Sequence, residues 1–210
     1  MDNSIIDNHA DLEKATASLA QEHPALARAL EQVGALSLRK RPDGFASLLG
    51  VIVSQQLSVA AADATWSRLS SAGLTEPERI QVATDEEMRT LGLSRQKIRY
   101  ARALATSGID YLALRKKSNS DVIATLIQVP GIGTWTAEIY AIFSLGRADV
   151  FASGDLALQE ATRILLDLPQ RPNSRKMVEI SQRWSPWRAV AARILWGYYR
   201  ECKQREGIRT

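Results

Sequence analysis

The sequence predicts an all-α protein, on three observations. Apolar residues recur at helical spacing along most of the chain, as at Phe45, Leu48, Leu49 and Ile52. Alternating strand patterns closed by Asn-Gly or Asp-Gly turns are absent, and the Asp-Gly pair at 43–44 precedes a helical stripe rather than a hairpin. Helix start and stop residues punctuate the stripes at short intervals, giving about nine or ten helices. No fixed-period repeat and no low-complexity linker interrupts them.

In chain order, Asp43 is placed to cap the helix carrying Phe45 to Ile52. Thr84 and Glu87 have capping-box spacing, and Gly92 stops that short helix. Ser94 caps the next, which runs to Gly108. Ser120 or Asp121 opens a helix with Val122, Leu126 and Val129 on it. Ser185 and Pro186 read as N-cap and first position of a final helix of about 17 residues.

Composition narrows the function. The chain has 210 residues, 45% hydrophobic and 24% charged, enough to bury a core. Cys202 is the sole cysteine, which excludes intrachain disulfides, cysteine zinc sites and a four-cysteine iron–sulfur cluster. With only His9 and His23, a histidine-ligated catalytic metal is not expected either. No apolar run of about 18 residues exists, and the acidic, polar N-terminus is unlike a signal peptide. An intracellular protein is expected, cytoplasmic and nucleoid-associated in a bacterium or nuclear in a eukaryote. The net charge of +4 permits a nucleic-acid partner, and basic residues cluster in "LRKRP" (38–42), "SRQKIRYAR" (94–102) and "RKK" (115–117).

The most informative stretch is "LIQVPGIGTWTA" (126–137). Pro130 cannot continue the helix ending near Val129. Gly131 can adopt the positive φ that reverses the chain, and Gly133 leaves room for close approach of a ligand. Thr134 then starts a helix with Trp135, Ile139, Ile142 and Phe143 on one face. Unpaired N–H groups and the helix dipole at that N-terminus favour a phosphate, without reading a base. The stretch resembles the helix-hairpin-helix element, which holds a DNA backbone. Gly131, Gly133, Thr134 and Thr136 are its candidate DNA contacts.

About twenty residues later, "DVFASGDLALQEATRILL" (149–166) places Asp155 at the start of a helix, where an ordinary N-cap is the plainer role. The hairpin followed at that interval by an aspartate resembles the helix-hairpin-helix DNA glycosylase superfamily. Within it the chain is similar to DNA-3-methyladenine glycosylase II of the short form, which lacks the N-terminal β domain. "RPDGFASLLGVIVSQQLS" (41–58), "GLSRQKIRYARALA" (92–105) and "WSPWRAVAARILWGYYRE" (184–201) extend the resemblance. It implies two helical lobes flanking a DNA-binding cleft. One lobe is formed by 1–42 with 150–210; the other is formed by 43–149 and contains the hairpin at 121–145.

The resemblance also implies roles for residues. Asp155 is catalytic. Trp135 and Trp196 are walls of a base pocket to which Glu138, Ile139 and Leu156 belong. Gln55, Gln56 and Leu57 of "VSQQLS" lie at the lesion, with Gln56 as the plug left in place of the extruded nucleotide. Backbone carbonyls of Ile127, Val129 and Ile132 hold a monovalent cation; no other cofactor is required. Relatives that also cleave the backbone carry a lysine two residues after the second glycine, where this chain has Trp135. An indole forms no imine, so a monofunctional enzyme is expected. Ala152 stands where many relatives have proline, and Ile139 and Leu156 where the longer prototype has aromatic residues. The expected function is excision of alkylated purines such as 3-methyladenine from duplex DNA by a monomer, leaving an abasic site. The alternatives are a non-catalytic DNA-binding module and a glycosylase for another damaged base.

Overall fold

The computed structural model describes residues 4–205, and of Arg205 only the backbone. Thirteen α-helices lie among them, ten of at least seven residues, with no strand; Ile5 and Arg147 form an isolated bridge. The count exceeds the nine or ten expected because one- and two-turn helices leave little apolar periodicity. No helix among these residues is long and apolar enough to cross a membrane. The chain divides into two units, a central one from Arg41 to Tyr140 and a terminal one from the residues on either side.

The central unit is built on α3 (Phe45–Ser54), which packs against α4 (Val59–Ser71) and α7 (Arg95–Ala105). Phe45, Leu48, Leu49, Val51, Ile52 and Val53 are all buried, so this helix is apolar nearly all round. Two short helices, α5 (Pro77–Val82) and α6 (Asp85–Thr90), lie on α7. Thr84 and Glu87 form the expected capping box of α6, and Ser94 caps α7. A single turn, α8 (Tyr111–Leu114), precedes α9 (Asn119–Leu126), and α10 (Thr134–Phe143) begins in this unit and ends in the next.

In the terminal unit, α13 (Arg188–Arg205) packs against α1 (His9–Glu22), α2 (Pro24–Val33) and α11 (Leu156–Leu165). Its Ala189 to Ala192, Ile194 and Leu195 are at most 1% exposed. At Gly197 the contact with α2 is so close that a Cβ would lie 2.5 Å from Val33 Cγ1. The helix α12 (Ser174–Ser181) and a 3-10 turn (Gln182–Trp184) lead into α13.

Three expected caps are corrected. Asp43 does not cap α3; Gly44 does, donating its N–H to the Tyr140 hydroxyl at 2.8 Å. The Asp43 carboxylate instead takes two hydrogen bonds from Arg115, at 2.6 and 2.8 Å. Ser118, rather than Ser120 or Asp121, caps α9, its hydroxyl accepting the Asp121 N–H. Ser185 and Pro186 precede the last helix without opening it: the Ser185 hydroxyl donates to Asp149, and α13 starts at Arg188.

Candidate functional site

The hairpin is held by its own backbone and by two side chains from earlier in the central unit. The Val129 N–H donates to Leu126 O at 3.1 Å and the Ile132 N–H to Val129 O at 3.0 Å, closing the turn. Gly131 has φ +94°, and the Tyr100 ring packs directly against its Cα, leaving no room for a Cβ. The Gln55 side chain donates from Nε2 to the Gly131 carbonyl at 3.1 Å, bracing the turn against the end of α3. Gly133 differs: its φ is outside the left-handed region, and nothing lies within 4 Å of where its Cβ would be. Gly133, Thr134 and Trp135 are exposed at the N-terminus of α10, and no acidic residue occupies its first turn. Exposed first-turn residues, a positive dipole end and open space beside a glycine form an anion-receptive corner.

The other predicted residues of the central unit fall into two groups. Gln56 and Leu57 are exposed, and Gln56 has φ +57°. That left-handed backbone costs a glutamine on the order of 1 kcal/mol, strain of a kind that collects at functional positions. Thr136, by contrast, is 4% exposed, with its side chain buried. Glu138 and Ile139 are buried on the same helix, while Trp135 is 43% exposed.

In the terminal unit the segment leading to Asp155 is tied down at several points. Arg188 grips Asp149 with hydrogen bonds of 2.6 and 3.0 Å, and the Ala189 N–H donates to Ala148 O. Phe151 packs on Trp184 with ring centroids 5.5 Å apart, and Ala152 is fully buried. Asp155 is the N-cap of α11, and its Oδ1 accepts the N–H groups of Ala157 and Leu158 at 2.9 and 3.0 Å. These two backbone donors hold Oδ1 over the first turn of α11. Asp155 is half-buried and Leu156, beside it, is 62% exposed. Trp196, on α13, packs against Phe143 with centroids 5.6 Å apart.

A model of the HhH-GPD superfamily of base excision DNA repair proteins matches residues 49–186, which hold the hairpin, the Gln55–Leu57 segment and Asp155. The chain belongs to that superfamily. Among relatives of this HhH-GPD protein, DNA-3-methyladenine glycosylase 1 of Schizosaccharomyces pombe is 34% identical over 166 residues. That match covers 75% of this chain and 73% of the yeast one. The solved structure of the S. pombe 3-methyladenine DNA glycosylase in complex with abasic DNA superposes with TM-score 0.73 at 32% identity. It covers 87% of this chain and 95% of that one. A DNA-3-methyladenine glycosidase from Bacillus halodurans superposes with TM-score 0.79 at 32% identity, covering 100% and 97%.

Sequence reasoning about the HhH-GPD site missed two residues. Tyr100 sets the Gly131 turn but sits on a helix whose cap and basic cluster give no sign of that contact. Tyr140 accepts the N–H of Gly44, the N-cap of α3, and burial pushes the pKa of its hydroxyl up to about 12. Both contacts join residues far apart in sequence, which periodicity cannot reveal.

Proposed function

We propose that the protein is a monofunctional DNA glycosylase that excises alkylated purines such as 3-methyladenine from duplex DNA. Its superfamily and the activity for which its relatives are named support the reaction class. The observation that carries the catalytic assignment is Asp155, an acid fixed by two backbone N–H donors at the start of α11.

In this mechanism the exposed N-terminus of α10 takes a DNA phosphate on the N–H groups of its first turn, independently of sequence. The target nucleotide leaves the stack, and Gln56 or Leu57 occupies the space it vacates. Trp135 and Trp196 offer aromatic faces to the extruded base. Alkylation at N3 or N7 makes that base cationic, adding a cation–π term of about 0.5–2 kcal/mol. As the C1′–N bond breaks, positive charge grows on the deoxyribose and the Asp155 carboxylate stabilises it. Water adds its oxygen to C1′ and loses a proton to solvent, while the base departs as a neutral molecule carrying the bonding pair. Trp135, where lyase relatives have lysine, leaves no amine at that position for an imine, so an abasic site remains.

Three neutral carbonyl oxygens, those of Ile127, Val129 and Ile132, suit a hard monovalent cation beside the bound phosphate. Val129 O spends one lone pair on the Ile132 N–H and retains a second. Among the described residues no cluster of three or more His, Cys, Asp or Glu side chains would hold a metal. The enzyme acts as a monomer in this reading. Incubation with methylated duplex DNA and chromatography of the released bases tests it. Free 3-methyladenine is the expected product, and absence of any released base overturns the proposal.

A further inference from the structure

The terminal unit contains a cavity of about 100 Å³ between the segment after α2, the end of α10 and the middle of α13. Three arginines line it, Arg39, Arg193 and Arg200, with Phe143, Trp196 and Gly197, and no carboxylate lines it. Arg193 is the informative one, being only 7% exposed. Its Nη1 donates to the Leu38 carbonyl at 2.7 Å, and its guanidinium carbon lies 4.5 Å from the centre of the Phe143 ring. Its buried Nε–H meets no acceptor among the described residues.

This arrangement is unfavourable for the protein alone. A buried guanidinium with an unmade hydrogen bond carries a desolvation penalty that the Phe143 face offsets only in part. Burial, and then the charge of Arg39, lower its pKa to about 10, so the cavity gathers like charges. Arg39 itself is held at φ +45°, a left-handed backbone that is costly for arginine. An unmade donor and clustered cations without a carboxylate in the lining are what an anion would satisfy. A guanidinium offers a fork of donors matched to oxyanions. The volume is that of about three water molecules, enough for one tetrahedral oxyanion.

We propose that this cavity is a binding site for a single phosphate group, held by Arg193 at its base and by Arg39 and Arg200 at its mouth. Phosphate there also offsets the positive charge beside Trp196, the face assigned above to a cationic base. The phosphate is either the free ion or a phosphodiester of bound DNA. The site itself does not depend on the glycosylase reading.

The test follows thermal unfolding of the full chain in inorganic phosphate and in chloride at matched ionic strength. Wild-type protein is expected to show a saturable stabilisation specific to phosphate. Arg193→Met, which keeps an unbranched side chain over Phe143, should raise the apparent phosphate Kd at least tenfold. The exposed pair Arg39→Gln and Arg200→Gln should do the same, and it carries the test if Arg193→Met does not fold. Equal responses to phosphate and chloride, or variants responding like wild type, overturn the proposal. A second arm measures binding of an abasic-site duplex by anisotropy. Competition by phosphate beyond that of chloride, with a shallower salt dependence in the Arg39/Arg200 variant, identifies a DNA phosphodiester as the source. Unchanged duplex affinity with the thermal response intact identifies the free ion.

Discussion

The two hairpin glycines do different work, and substituting each by alanine separates fold from function. At Gly131 the backbone φ of +94° is outside what an alanine accepts, and a Cβ would lie 2.6 Å from Tyr100 Cδ2 and 2.7 Å from Tyr100 Cβ. The left-handed backbone costs about 1–2 kcal/mol and the overlap with a packed ring about 1–3. Reduced entropy of the unfolded chain returns about 0.4–1 kcal/mol. Gly131→Ala should therefore lose roughly 1–4 kcal/mol, at about 2–4 °C of Tm per kcal/mol for a chain of this size. Gly133→Ala meets nothing within 4 Å and needs no left-handed backbone, so stability should stay within about 0.5–1 kcal/mol of wild type. Its Cβ would occupy the space proposed for the phosphate. Losing a charge-assisted hydrogen bond of about 1.5–3 kcal/mol weakens DNA binding roughly ten- to hundredfold. Thermal denaturation and anisotropy on an abasic-site duplex read the two effects. Wild-type DNA affinity in Gly133→Ala, or wild-type stability in Gly131→Ala, would refute the reasoning.

Three further outcomes are expected. Tyr140→Phe removes the acceptor for the Gly44 N–H and should cost about 0.5–1.5 kcal/mol in denaturant unfolding. The hydrogen bond from Arg163 holds the Glu160 carboxyl below its usual range, so its contribution is present above that range and fades as the pH falls through the lowered value. Glu160→Gln should flatten that acid limb in a pH series of Tm. The change should stay within about 1 kcal/mol, because both side chains are partly solvated. Borohydride added during turnover on methylated DNA should trap no covalent protein–DNA adduct, whereas a trapped adduct contradicts the monofunctional assignment.

What the sequence revealed depended on the range of the interaction. Thr84 with Glu87, Ser94 and the apolar stripe of α3 act over three to eight residues and were legible. Asp43 looked like a local cap, but its carboxylate is taken by Arg115, 72 positions away, and a distant cation outcompeted the neighbouring amides. Ser118 displaced Ser120 and Asp121 because any of three adjacent polar side chains satisfies the same rule. The Asp155 position was legible as a helix start, and its two amide donors follow from that. Arg193 and Arg200 stand three before and four after Trp196, a spacing that puts all three on one side of α13. That they share a cavity with Arg39 depends on packing that no local pattern encodes.

The central claim is that the charge on Asp155 drives base release, and Asp155→Asn tests it most directly. Asparagine caps a helix about as well as aspartate, so the start of α11 should survive while the negative charge is lost. On methylated duplex DNA the account predicts release of 3-methyladenine slowed by roughly 10²-fold or more, with affinity for an abasic-site duplex retained. Release at close to the wild-type rate by the folded variant would contradict it.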